Sequence, residues 1–134
     1  MLGPLHLSSL RHRQSLLRIE IFVGHDYEAA IPAADALLAD SERELGPSHG
    51  ESLAALELVV TAMALGGESH AAELKAIEWF DRLSAQHGPE HIAPGRVAFL
   101  LQNLYEELGK SDAELVWRQR VEASSFRPAA GMTD

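Results

Sequence analysis

Three histidines and a glutamate crowd two short, glycine-marked loops, and they are the first residues to ask for chemistry. Gly46-Pro47-Ser48-His49 returns 42 residues later as Gly88-Pro89-Glu90-His91, with His87 just before the second copy. His87, Glu90 and His91 offer two imidazoles and a carboxylate, donor types that suit zinc. Their spacing straddles Gly88-Pro89 instead of following one helical face, and a zinc site needs a further ligand and a supporting shell. His49 and His91 recur with the loop itself, so a structural hydrogen bond accounts for them better than a metal does. Neighbouring carboxylates, Glu42 with Glu44 and Glu106 with Glu107, are the other candidates. Acid–base work needs an opposing group and a sheltered pocket beside such a pair. The sequence places neither there, and both pairs read as solvated faces. There is no glycine-rich phosphate loop, no G-x-S-x-G and no H-E-x-x-H. The expectation is a chain without catalytic residues, metal or cofactor.

The elements that position these residues are helical. The chain has 134 residues, enough for one domain with a substantial core. Hydrophobic residues make up 46% and aromatics only 6%, and alanine and leucine carry the apolar share, which suits helix–helix packing. With no cysteine, disulfides and thiolate metal sites are excluded. The formal charge is −9. Residues 1–24 hold Arg11, Arg13, Arg18 and Glu20, net +2, which leaves −11 on residues 25–134. So acidic a body repels phosphate backbones, and no nucleic-acid partner is expected. No apolar run reaches membrane-spanning length, and no continuous apolar segment follows Met1, which reads as a natural start without a signal peptide. No membrane partner and a cytoplasmic home are expected.

Apolar spacing predicts six helices. The first covers Leu5–Val23, with Leu10, Leu17 and Ile21 on one face and Leu16 and Ile19 widening it. The second begins after Asp26, a suitable N-cap, or nearer Ile31 if Pro32 sits in its first turn, and runs to about Leu45. The third, Glu51–Leu65, is apolar nearly all round and belongs inside. The fourth, about Ser69–Gln86, aligns Ala72, Ala76, Trp79 and Leu83. The fifth starts near Pro94 and aligns Val97, Leu101, Leu104 and Leu108. The sixth opens on Ser111-Asp112-Ala113-Glu114, which reads as a capping box, and runs through Val116, Trp117 and Val121. From Ser124 the sequence SSFRPAAGMTD loses periodicity and is expected to be a flexible tail. A helical domain over 1–123 and a tail over 124–134 follow.

A fixed period of this length marks a repeat protein. The loops "LGPSH" (Leu45–His49) and "HGPEH" (His87–His91), with "GHDYEAAIPAADALL" (Gly24–Leu38) and "LQNLYEELGKSDAELVWRQRV" (Leu101–Val121), resemble the tetratricopeptide repeat. The likeness is to its longer form, found in the kinesin light chain and in many bacterial proteins, where the loop typically reads Leu-Gly-Pro-Asp-His-Pro. It covers about residues 10–122. Gly50 and Ile92 stand where the family has its last proline, Ser69 and Ser111 are the counterparts of Tyr27, and the distance from glycine to the next helix drifts by one residue among Gly24, Gly67 and Gly109.

The resemblance implies an all-α fold, an α-α superhelix (a right-handed solenoid) of about three antiparallel helix pairs. It also implies a concave groove that takes a peptide or helix of a partner protein. Positions facing that groove would include Phe22 in the first unit, Glu57 and Thr61 in the second, and Arg96, Phe99, Asn103 and Glu106 in the third. An amide such as Asn103 and a guanidinium such as Arg96 can bind a backbone or carboxylate bidentately. A scaffold that self-associates through its terminal helices is the alternative, with Val116, Trp117 and Phe126 as apolar residues left over at the C-terminal end. A helical sensor of a small ligand or peptide signal is a third.

Overall fold

A computed structural model describes residues 4–128. The described chain holds six α-helices: α1 Pro4–Ile19, α2 Tyr27–Leu45, α3 Gly50–Leu65, α4 Ser69–His87, α5 Ile92–Glu107 and α6 Ser111–Ala123. A π-helical turn, Glu20–Gly24, extends α1. No strand occurs among the described residues, and the protein is all-α.

The 42-residue interval governs backbone conformation as well as residue identity. Helices α2, α4 and α6 begin 42 residues apart, at Tyr27, Ser69 and Ser111, and α3 and α5 begin at Gly50 and Ile92. The turns inside successive units share a left-handed residue at the same interval: His25 (φ 56), Gly67 (φ 87) and Gly109 (φ 71). Glycine adopts this region without a Cβ penalty, which is why it follows helix ends. After α3 the N–H groups of Gly67 and Glu68 donate to the carbonyls of Ala64 and Met63, and after α5 those of Gly109 and Lys110 donate to Glu106 and Tyr105. Both are Schellman motifs. The one-residue drift seen in the sequence is thereby explained. In the first unit the left-handed position belongs to His25, not Gly24, and the π turn absorbs the offset, with Asp26 N–H donating six residues back to the Glu20 carbonyl.

The same register overrides the expected capping box. Lys110 is the N-cap of α6 and makes no side-chain cap bond, so Ser111 falls one position inside the helix. Glu114 pairs instead with Arg118. The Schellman turn on Gly109 sets where α6 starts, and the serine has no free choice of position. In α2 the longer alternative holds: the helix begins at Tyr27, Asp26 Oδ1 accepts from Ala29 N–H at 3.3 Å, and Pro32 lies within the helix.

The chain forms two compact units, Met1–Ala72 and Glu73–Asp134. In the first, α2 packs along α3, and α1 packs on both. Ala30, Ala34 and Leu37 of α2 meet the apolar α3, of which Leu56, Val59 and Ala62 are fully enclosed. Leu10, Leu17 and Ile21 form the inner face of α1, as their spacing predicts, whereas Leu16 (53% exposed) and Ile19 (57%) do not widen it. Gln14 is buried but satisfied, its amide donating to the carbonyl and the side chain of Glu51. The basic helix meets acidic neighbours: Arg13 pairs with Asp40 at 2.7 Å and Arg11 with Glu51 at 3.4 Å. Hydrogen bonds from Arg13 and Arg43 hold the Asp40 carboxyl below its ordinary range.

In the second unit α5 packs along α6. Trp79, Phe80 and Leu83 of α4 are buried, as are Val97, Leu101 and Leu104 of α5. Phe80 meets Trp117 edge-on, with ring centroids 4.8 Å apart. Tyr105 joins all three helices. Its hydroxyl donates to the Glu73 carboxylate of α4 and accepts from the Trp117 indole of α6, and burial with Glu73 pushes the phenol above its ordinary range.

Candidate functional site

The loop histidines act on the backbone. A helix start leaves N–H groups without intrahelical partners, and a side chain with a lone pair can cap them. His49 Nδ1 accepts from Glu51 N–H at 3.0 Å, and His91 Nδ1 accepts from Ala93 N–H at 3.1 Å. Each histidine's own N–H donates to the carbonyl of the loop glycine, Gly46 or Gly88, and those glycines take φ +90 and +89. The two loops are one device used twice. The hydrogen bond expected of these histidines is this cap, and it requires an unprotonated Nδ1 with the proton on Nε2. The His87 and His91 rings stack at 4.5 Å. Among the described residues no group of three or more metal-ligating side chains is brought together. His49→Ala and His91→Ala are each expected to cost about 1 kcal/mol. Urea denaturation checks this: the midpoint should fall with an unchanged slope, and an unshifted midpoint would contradict the capping role.

The seven expected groove residues are not equivalent. Phe99, Asn103 and Glu106 of α5 line one cleft of about 550 Å³ within the second unit. Gln102 stands beside them, and Arg118, Val121 and Glu122 of α6 form the opposite wall. Arg96 is half-buried and off this wall. In the first unit Phe22 is 53% exposed on the π turn, while Glu57 and Thr61 are half-buried on α3. Phe99, expected to face an open groove, is only 6% exposed.

The reason is the segment after α6. Residues 124–128, whose sequence predicts the start of a loose tail, lie against α5; the rest of that tail falls outside the described residues. Phe126 packs on Phe99 with ring centroids 5.7 Å apart, and Ser125 N–H donates to the Glu90 carbonyl at 2.8 Å. Ser124 is buried, and its hydroxyl donates to the Val121 carbonyl while accepting from Phe126 N–H. Phe126, Arg127 and Pro128 complete the rim of the cleft. Gly95 makes the approach achievable. A Cβ there would stand 2.7 Å from Ser124 Cβ and 2.9 Å from Phe126 Cβ, with Ser124 Oγ closer still. Glycine costs a helix interior about 1 kcal/mol relative to alanine, and close approach of the segment is what that cost obtains.

Sequence reasoning missed Gly95, Gln102, Glu122 and the docked segment. Two signals were present: a glycine inside a helical pattern, which marks close backbone approach when it has a packing reason, and a single aromatic residue, Phe126, in a tail without periodicity. The cleft can offer aromatic edge, amide and carboxylate groups to a peptide. Comparison with protein-family models, with curated proteins and with solved structures finds no match to this chain. Among the described residues no helix is long and apolar enough to cross a membrane.

Proposed function

We propose that this chain is a non-catalytic protein–protein interaction module of tetratricopeptide-like type, a right-handed superhelix of about three helix pairs working in the cytoplasm. It binds a peptide or helix of a partner protein. The cleft carries the reading: three of the positions that the repeat resemblance turns toward a groove, Phe99, Asn103 and Glu106, share it, with unmatched sizes and polarities suited to a mixed peptide surface. The recurrence of turn and cap geometry every 42 residues supports the repeat type. The acidic body disfavours nucleic acid as the partner.

The test is affinity purification from the source cell, followed by calorimetric titration of the captured partner. Gln102→Ala, Asn103→Ala and Glu106→Ala combined should weaken binding about tenfold or more, the scale of a lost hot spot. None of the three belongs to the buried core, so the fold is retained; Phe99 is left intact because it is buried. An unchanged dissociation constant would remove the cleft from the binding site.

A second reading, self-association through the terminal helices, has its own observation. Leu16, Ile19, Phe22 and Val23 are exposed at the N-terminal end, and Leu115 and Val116 on α6. Trp117, expected there too, is buried against Phe80 and does not contribute. Light scattering decides: a mass that stays monomeric at high concentration ends this reading.

A further inference from the structure

The segment Ser124–Pro128 is itself a peptide lying on α5, and its contacts fall into two sets. Most hold the segment in shape. Ser124 Oγ bonds the Val121 carbonyl and Phe126 N–H, and Arg127 Nη1 donates to the carbonyls of Ser124 and Phe126 at 2.6 and 2.8 Å. Others hold it in place: the notch at Gly95, the Phe126 ring on Phe99, and one backbone bond from Ser125 to Glu90 in the loop before α5. A small residue fits the notch, an aromatic covers Phe99, and a basic residue follows at the rim of a cleft that carries Glu106 and Glu122. The fit is specific.

We propose that the α5 face from Gly95 to Phe99 is a binding site for an extended peptide of the pattern small–x–aromatic–basic, and that the chain's own Ser124–Arg127 occupies it as an intramolecular competitor. This rests on the reading of the chain as a peptide-binding module and names the face and the ligand chemistry. A tethered segment acts at an effective concentration on the order of millimolar. A partner peptide that made only the same contacts would be held off. One that also reaches the amides of Gln102 and Asn103 or the carboxylates of the cleft displaces the segment, because those groups lie beside it.

The probe is a fluorescein-labelled peptide, EASSFRPA, with the sequence of residues 122–129, titrated with the full chain by fluorescence anisotropy. The Phe126→Ala chain should bind it at least tenfold more tightly than the unaltered chain. A probe with alanine in place of its phenylalanine should not bind, and adding Gly95→Ala to the Phe126→Ala chain should abolish binding by filling the notch. Arg127→Ala loosens the segment by removing its bonds to the Ser124 and Phe126 carbonyls while leaving Gly95 and the side chains of Phe99 and Phe126 unaltered, and should shift affinity in the same direction, so the test survives if Phe126→Ala fails to fold. Equal affinity of the altered and unaltered chains, no binding by either loosened chain, or equal binding of the phenylalanine-free probe would each overturn the proposal. Loss of partner binding in the cleft variants, together with failure of this probe, would leave the interaction module standing and remove only the competitor.

Discussion

Trp117→Ala is expected to destabilise the protein by about 3–5 kcal/mol. Trp117 is 6% exposed on α6, packs edge-on against Phe80 of α4, and carries the Arg120 guanidinium 4.2 Å above its ring. Its indole N–H donates to the Tyr105 hydroxyl oxygen of α5, which in turn donates to Glu73. Truncation opens a cavity where α4 and α6 meet, removes an aromatic pair and a cation–π contact, and takes one partner from a buried hydroxyl. Trp117→Phe keeps most of the packing and loses the N–H, and should cost about 1–2 kcal/mol. The difference separates packing from hydrogen bonding. Differential scanning calorimetry reads the result, with a melting temperature lower by about 10–20 °C for Trp117→Ala on the usual scaling for a chain of this size. A melting temperature within a degree or two of the unaltered protein would show that α4 and α6 do not share this contact.

Leu56→Ala is the counterpart in the first unit, at about 2–5 kcal/mol. Leu56 sits on α3, whose buried residues include Leu53, Ala55, Leu56, Leu58, Val59, Val60 and Ala62. A helix enclosed on several sides has little room to collapse around a deletion, so the cost belongs in the upper part of that range. Leu65→Ala is the control. Leu65 is near the end of the same helix but 50% exposed, and its truncation should change stability by less than about 0.5 kcal/mol. Urea denaturation of the pair tests the placement: similar midpoints for the two would mean that α3 is not buried along its length.

Much of the helical architecture was legible in the sequence because it rests on local rules. Glycine after a helix, aspartate before one, and apolar residues at helical spacing act within a few residues of each other, and the end of α2 and both ends of α4 follow from them almost to the residue, whereas Pro32 leaves the start of α2 open. The repeated loop was legible for the same reason, and so was the structural role of His49 and His91, since a cap needs only a backbone N–H two residues on. Where the reading failed, a neighbour had outvoted a local preference. Ser111-x-x-Glu114 has the letters of a capping box, yet the turn on Gly109 places the cap at Lys110. Leu16 and Ile19 have the spacing of a broad apolar face, yet α2 and α3 cover only the stripe of Leu10, Leu17 and Ile21.

The cleft divides the same way. That α5 offers Phe99, Asn103 and Glu106 along one side is a property of helical spacing, available from the residue order alone. That Phe99 is covered was not. Its cover comes from Phe126, 27 positions along the chain, and depends on a glycine whose missing Cβ admits the segment. Residue order, acting through hydrogen bonds and side chains a turn apart, established the helices and the 42-residue unit. Only packing between distant segments decided which face of α5 stays open, because that depends on which surfaces the folded chain brings into contact.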